Sequence, residues 1–277
     1  MNESAIPEPV RTLATVPNPD PNNWSTRRIN AVLSAIPAAE PQGMQRYLEI
    51  GLEAGRTLEN VLAPHRVGVD PTPLFDTHVL PDGVEVHSVP SDDYFARLPR
   101  RTAFDIVFVD GLHTYQQTYR DVINAFRHCP NGVLLIDDVV PSDWISAIPD
   151  QAESLEIRRQ HGIDNIDWHG DVFKVILMLR DHHPELDWVT ITDCGTPQTF
   201  VWRRAKTSVG RGPNRRGPIR SVSDAVVDSY RDVSFADVFD AGVPAYFHPC
   251  EEAEALSRVI DSVAQLRARR RRLFPRP

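Results

Sequence analysis

The stretch Glu49-Ile50-Gly51-Leu52-Glu53-Ala54-Gly55-Arg56-Thr57 decides the fold. The apolar run Tyr47 to Ile50 reads as a strand and the residues after Gly55 as a helix, so the chain turns sharply where a ligand can approach its backbone. Gly51 and Gly55 permit that turn because they lack a Cβ. Asp70 closes the next apolar run nineteen residues after Gly51, where an acid in such folds accepts hydrogen bonds from ribose hydroxyls. Strand, glycine turn, helix, strand and terminal acid, in that order, point to an adenosine-containing ligand. A dinucleotide fold asks for G-x-G-x-x-G, with a pyrophosphate on the helix N-terminus. Here Glu53 stands at the second glycine, and its carboxylate repels a pyrophosphate but tolerates a ligand with an ammonium group.

From Gln45 onward, short apolar runs alternate with amphipathic stretches, as in βαβ units around a parallel sheet. Strands are expected at Tyr47 to Ile50, Arg66 to Asp70, Val84 to Val89, Phe104 to Asp110, Gly132 to Asp137, Asp187 to Thr192 and Gln198 to Trp202. Helices are expected near 55–63, 91–98, 115–127 and 171–183. The fold class is therefore α/β, a doubly wound, Rossmann-like sheet of seven strands. The connection from Pro141 to Gly170 interrupts this rhythm, carries Trp144 and Trp168, and reads as a lid or binding loop.

Residues 1–23, with Pro7, Pro9, Pro17, Pro19 and Pro21, read as an irregular arm. Ser25 reads as the N-cap of a short helix bearing Ile29, Val32, Leu33 and Ile36. Lys206 to Arg220, Gly/Pro-rich with five basic residues and no acid, reads as an exposed linker. Glu251 to Phe274 reads as a helical extension with a stripe of Leu256, Val259, Ile260, Val263 and Leu266, which can pack on its own domain or make a homo-oligomer. Its acids lie at the N-terminal end and Arg267 to Arg272 at the other, as the helix dipole favours. The expected division is residues 1–40 for arm and helix, 41–205 for the main domain and 206–277 for linker and tail.

The chain has 277 residues, with 30 Lys plus Arg against 38 Asp plus Glu, a net charge of −8. That balance repels polyanions, so nucleic acid is not the expected partner. Hydrophobic residues at 41% and charged residues at 25% match an ordinary globular protein and argue against wholesale disorder. No apolar stretch approaches the roughly 20 residues of a membrane span, and the Pro-rich start lacks a signal peptide's apolar segment, so a cytoplasmic location is expected. Cys129, Cys194 and Cys250 form no C-x-x-C pair, which suggests neither a disulfide framework nor a zinc knuckle.

The run Phe104 to Val109 ends in Asp110-Gly111, with His113 three residues past the acid, and the next strand ends in Asp137-Asp138. Neighbouring strands about 4.8 Å apart bring those three carboxylates together at the carboxyl edge of the sheet. Such a group either raises its pKa values or takes up a cation. All-oxygen donors favour a hard ion, Mg2+ first, with Mn2+ or Ca2+ next and zinc disfavoured. His113 titrates in the range needed to remove a proton near neutral pH.

The E-I-G-x-x-x-G-x-T turn with its distal acid resembles motifs I and II of class I S-adenosylmethionine-dependent methyltransferases. The resemblance implies that Glu49, Gly51, Gly55 and Thr57 line the methionine end and that Asp70 holds the ribose. Ser91 and Asp92 match the position beside the adenine, and Asp110 belongs to both the cofactor and the metal sets; Ser91 is equally expected as a helix N-cap. The run Asp110-Gly111-Leu112-His113-Thr114-Tyr115, then Asp137-Asp138, then Gly170-Asp171-Val172-Phe173-Lys174, resembles the methyltransferase family 24 group. Within it the chain is similar to magnesium-dependent sugar O-methyltransferases of macrolide pathways. The resemblance spans about residues 45–204 and implies Asp110, Asp137 and Asp138 as metal ligands and His113 as general base. Catechol-type relatives carry Lys at the position of His113, which points away from catechols.

The expectation is an S-adenosylmethionine- and Mg2+-dependent O-methyltransferase acting on a hydroxyl of a sugar, glycoside or glycosylated natural product, with Trp144, Trp168 and His169 as acceptor contacts. Competing readings are a small phenolic or catecholic acceptor at the same site, an NAD-binding oxidoreductase, and a basic tail that binds an anionic partner.

Overall fold

A computed structural model describes residues 11–37, 43–204 and 219–273. The helices and strands in chain order are α1 (Trp24–Ala35), β1 (Arg46–Ile50), α2 (Arg56–Asn60), β2 (His65–Val69), β3 (Val84–His87), α3 (Ser91–Arg97), β4 (Ile106–Val109), α4 (Tyr115–His128) and β5 (Val133–Ile136). There follow α5 (Gln151–Gln160), α6 (Lys174–His182), β6 (Leu186–Ile191), β7 (Gln198–Arg203), α7 (Asp224–Asp228), α8 (Phe235–Phe239), β8 (Pro249–Cys250) and α9 (Glu252–Leu273).

One sheet holds all eight strands in the order β3-β2-β1-β4-β5-β7-β6-β8. Strands β1 to β5 are parallel, and β7 runs antiparallel between β5 and β6. The eighth strand, two residues paired with Thr190 and Ile191, was not among the seven expected; so short a segment has no period to read. Strand order reverses between β1 and β4, which opens a crevice beyond their carboxyl ends.

The sheet is buried on both faces, as β4 and β5, with every residue buried, require. On one face Leu48, Ile50, Val107, Val109, Leu134 and Ile136 pack against α3, α4 and α6. On the other, Tyr47, Ile106, Phe108, Val133 and Leu135 pack against α1, α2 and α9. The stripe of α9 lies in that second core, with Val259, Val263 and Leu266 at 0% exposure. Leu256 packs half-buried against that core, and Ile260 is half-buried.

Several local expectations need correction. The cap of α1 is Asn23, whose side chain accepts from the Thr26 N–H; Ser25 sits inside the first turn. The connection 141–170 contains α5, capped by Asp150. Its periodicity is hidden because Arg158, 2% exposed, takes a core-facing position, donating to both oxygens of Asp143 at 2.9 and 3.0 Å. In the tail, Ile219, Val238, Phe239 and Phe247 join the first core, so α8 and its flanking segments cover it, with Val227 of α7 packed half-buried against it. Most of the basic linker lies outside the described residues. No helix among the described residues is long and apolar enough to cross a membrane.

Arg267 of α9 donates to Asp105 at 2.6 Å and to the Asn131 carbonyl at 3.1 Å. Asp105, 1% exposed, also accepts from the Arg46 N–H at 2.9 Å. Removing one partner of a buried ion pair strands the other's charge. Arg267→Met should lower the unfolding free energy by about 3 kcal/mol in urea titrations; unchanged stability would mean that α9 is not anchored there.

Candidate active site

The glycine turn is shaped by how closely strand backbones approach it. Gly51, at φ 87°, would place a Cβ 1.8 Å from the Asp110 carbonyl oxygen, so only glycine fits. Gly55, at φ 70°, precedes α2, and a Cβ there would meet Leu13 and Phe75 at 2.7 and 2.8 Å. The Asp70 carboxylate accepts from the N–H groups of Leu52 at 2.8 Å, Glu53 at 3.2 Å and Thr72 at 2.7 Å, tying the turn to the end of β2. The arm is laid against α2: Arg11 bonds the Ala54 carbonyl and Glu59, and the Ala14 N–H donates to Glu59 at 2.9 Å. Glu49 is buried and accepts from the Tyr47 hydroxyl at 2.8 Å. Burial pushes its carboxyl well above the usual range, with Asp110 adding and the Tyr47 bond opposing.

A cavity of about 920 Å³ runs from this turn across the carboxyl ends of β1 and β4. Glu49, Gly51, Thr57, Asp70, Ser91, Asp92, Asp110 and His113 all line it. Gly55 does not, since it faces Leu13 and Phe75. Ser91 is the first residue of α3 and its side chain makes no cap; it accepts instead from Gln117 Nε2 at 3.0 Å. Asp92 faces Arg120 at 3.3 Å. Gln117 and Asp121 also line the cavity and escaped sequence reading, because they sit on the amphipathic α4 with no motif around them. Burial pushes the Asp121 carboxyl up to about 7, against hydrogen bonds from Ser91 and Gln117.

Asp110 and His113 line the cavity, whereas Asp137 and Asp138 do not. His113 Nε2 lies 3.1 Å from Asp138 Oδ2 and 3.5 Å from Asp110 Oδ1. One ligand atom from each of Asp110, His113 and Asp138 falls within 4.8 Å of the others. The His113 ring stacks on Trp168 at 4.6 Å between centroids, and its Nδ1 lies 3.3 Å from the Trp168 carbonyl oxygen. Nδ1–H therefore donates to that carbonyl, leaving Nε2 to face both acids. Gly170, at φ 60°, lets the loop backbone press on His113; a Cβ there would fall 1.8 Å from the His113 carbonyl oxygen. Asp171 accepts from the Tyr115 N–H at 2.9 Å, capping α4, and pairs with Lys174 at 3.0 Å.

Asp137 stands beside this group with both carboxylate oxygens hydrogen-bonded. Its Oδ1 accepts from the Asp138 N–H at 3.0 Å and its Oδ2 from Gln198 Nε2 at 2.8 Å. Asp138 adopts φ 61°, uncommon for a residue with a Cβ. Burial, then the charge of Asp110, pushes Asp137 up to about 7, while burial and both other acids raise Asp138. Burial alone would lower His113, but its hydrogen bond with Asp110 and the charges of Asp110 and Asp137 raise it overall. The group is short of positive charge. The oxygens of Asp110 and Asp138 are donors of the kind a hard divalent ion takes, and the His113 imidazole beside them is not. Of the expected acceptor contacts, Trp168 lines the cavity, Trp144 does not and is 55% exposed, and His169 is buried 3.9 Å from Asp138.

Residues 40–139 match the Methyltransf_24 family, a methyltransferase domain. The matched stretch runs from before β1 to just past Asp138 and includes all three acids. The chain is similar to the O-methyltransferase of Bacillus cereus in complex with SAH, at 15% identity and TM-score 0.44, covering 68% of this chain and 83% of that one. It is also similar to an SAH-bound methyltransferase of Podospora anserina, at 17% identity and TM-score 0.40 over 63% and 76% of the two chains. A third likeness is MycE methyltransferase from the mycinamycin biosynthetic pathway in complex with Mg, SAH and mycinamycin VI. There the identity is 20% and the TM-score 0.40, over 61% of this chain and 48% of that one. Comparison with curated protein sequences found no match.

Asp121 gives the cavity wall a pH signature. Its folded-state value near 7 lies above an unfolded value of about 3.9. Its contribution is therefore fully present below about pH 4 and lost as pH rises to about 7. Asp121→Asn should match the native chain in stability near pH 4 and exceed it above pH 7, by up to about 4 kcal/mol. Urea unfolding across that range checks this; a constant difference at all pH values would contradict it.

Proposed function

We propose that this methyltransferase domain transfers the methyl group of S-adenosylmethionine to a hydroxyl of a sugar, glycoside or glycosylated natural product, assisted by Mg2+. The observation that carries the reading is the meeting of Asp110, His113 and Asp138 within 4.8 Å, two of which, Asp110 and His113, line the same cavity as the glycine turn. In this reading a cofactor site and a hydroxyl-activating site border the same cavity.

When bound, S-adenosylmethionine supplies an electrophilic methyl group, and a divalent ion supplies the charge that lowers the pKa of an acceptor hydroxyl. The remaining chemistry belongs to the chain. Asp70 is the group for the ribose hydroxyls, and its present bonds to the turn keep its carboxylate oriented. Glu49 and Thr57 border the sulfonium end, and Ser91 with Asp92 borders the base. Asp110 and Asp138 would hold the ion, and Asp137, whose oxygens accept from the Asp138 N–H and Gln198, would add negative charge beside them. His113 takes the acceptor's proton at Nε2, since Nδ1 is committed to the Trp168 carbonyl. Stacking on Trp168 fixes the ring plane, so the base needs little reorganisation.

A sugar acceptor is supported by the imidazole at position 113 and by the walls around it. Trp168 offers an aromatic face, and Asn23 and Gln151 offer polar side chains in the same cavity. A panel of glycosides against catechols and simple phenols, with the purified chain, separates this acceptor class from the aromatic one.

Two measurements test the mechanism. His113→Ala should leave the affinity for S-adenosylmethionine within about twofold while turnover falls roughly 100-fold or more; surviving turnover would assign the proton transfer to another group. Chelation with EDTA should abolish transfer and added Mg2+ restore it, whereas full activity in chelator would remove the metal from the account.

A further inference from the structure

We propose that Gln198, oriented by Arg28, is a positioning residue for the carboxylates at the end of β5, so that α1 and β7 form part of the metal centre. This rests on the metal-dependent reading above. Because β7 runs antiparallel to β5, its first residue lies beside the carboxyl end of β5, with Ile136 opposite Thr199. Gln198 is 0% exposed and reaches Asp137 from there.

The direction of its amide is set by chemistry. Arg28, also 0% exposed, donates from Nη1 to Gln198 Oε1 at 2.8 Å. A guanidinium has no acceptor, so the amide oxygen must face it and the NH2 group must face the other way. That group donates to Asp137 Oδ2 at 2.8 Å and to Ser25 Oγ at 2.6 Å. The other oxygen of Asp137 accepts from the Asp138 N–H, at the residue whose φ is 61°. A fixed Asp137 therefore fixes the backbone turn that aims Asp138 at His113.

Arg28 is itself held on every side. Its Nε donates to Glu252 Oε2 at 2.8 Å, Nη1 to the Thr196 carbonyl at 2.8 Å and Nη2 to the Cys194 carbonyl at 2.6 Å. Glu252 opens α9, and its N–H donates to Asp193 at 2.9 Å. The relay Glu252–Arg28–Gln198–Asp137 thus joins four segments remote in sequence, and none of its bonds passes through the cavity that holds the substrates. Partners behind metal ligands commonly govern affinity for the ion more than they govern the fold.

The test uses the full chain and Mn2+ alone, followed by the loss of the free-ion electron paramagnetic resonance signal, with calorimetric binding of S-adenosylhomocysteine in parallel. Gln198→Met keeps the length and removes the donor. Gln198→Glu keeps the contact with Arg28 and presents an acceptor to Asp137, so it guards against a packing failure in the first variant. Each folded variant, verified by circular dichroism, should bind Mn2+ at least about tenfold more weakly, with homocysteine-product affinity unchanged. Ser25→Ala, which spares the bond to Asp137, should bind Mn2+ within about twofold of the native chain. Native Mn2+ affinity in either folded Gln198 variant overturns the relay, as does a parallel loss of both ligands. Absence of Mn2+ binding by the native chain overturns the metal reading and the relay with it.

Discussion

Adjacent parallel strands that end in acids place negative charge where water is scarce, and the architecture of the site answers that constraint. β4 and β5 are paired in register and wholly buried, so Asp110 and the Asp137–Asp138 pair emerge side by side at one edge. Three anions so placed are intolerable without compensation. In the chain alone the compensation is partial: an imidazole inserted between two of the acids, hydrogen bonds to the third, and raised proton affinity. In the proposed reading a divalent cation would complete it, and the same cation would lower the pKa of an acceptor hydroxyl. Stability and chemistry therefore make the same demand of this corner of the sheet.

Segments outside the parallel core supply the precision. The arm clamps α2, whose preceding turn lines the cavity. The loop ending at Gly170 presses its backbone on His113, and Asp171 caps the helix that follows it. From the opposite face, α1, β7 and α9 converge on Arg28 and reach the acids through Gln198. Arg28, Glu59 and Asp171 in these contacts are buried and hydrogen-bonded, the condition under which a polar network specifies geometry rather than merely tolerating it.

The central sheet was legible because its signals are local. Apolar runs closed by Gly51, Asp70, Asp110 and Asp137 mark strand ends, and the glycine turn marks the ligand edge. The same logic gathers Asp110, Asp137 and Asp138 at one edge with His113 close by; the ligand atoms that the structure brings within 4.8 Å are those of Asp110, His113 and Asp138. What escaped depends on partners distant in the chain. α5 hid because buried Arg158 replaces an apolar residue in its stripe, and β8 is two residues long. The cap of α1 fell at Asn23, where two side chains of capping type stood within three residues and only packing chooses between them. The orientation of Asp137 depends on Gln198, sixty-one residues away, and nothing in the composition of β7 announces it. Asp121 looks like any polar helix position until α4 is seen against the cavity wall.

The central claim is that Asp110 and Asp138 share a divalent ion next to a cofactor seated on the glycine turn. Anomalous diffraction near the manganese edge, from crystals grown with Mn2+ and S-adenosylhomocysteine, tests it most directly. The account predicts one strong anomalous peak between those two carboxylates, with the cofactor sulfur in the same cavity. No peak there, with His113 remaining wedged between the acids while the cofactor is bound, would contradict it.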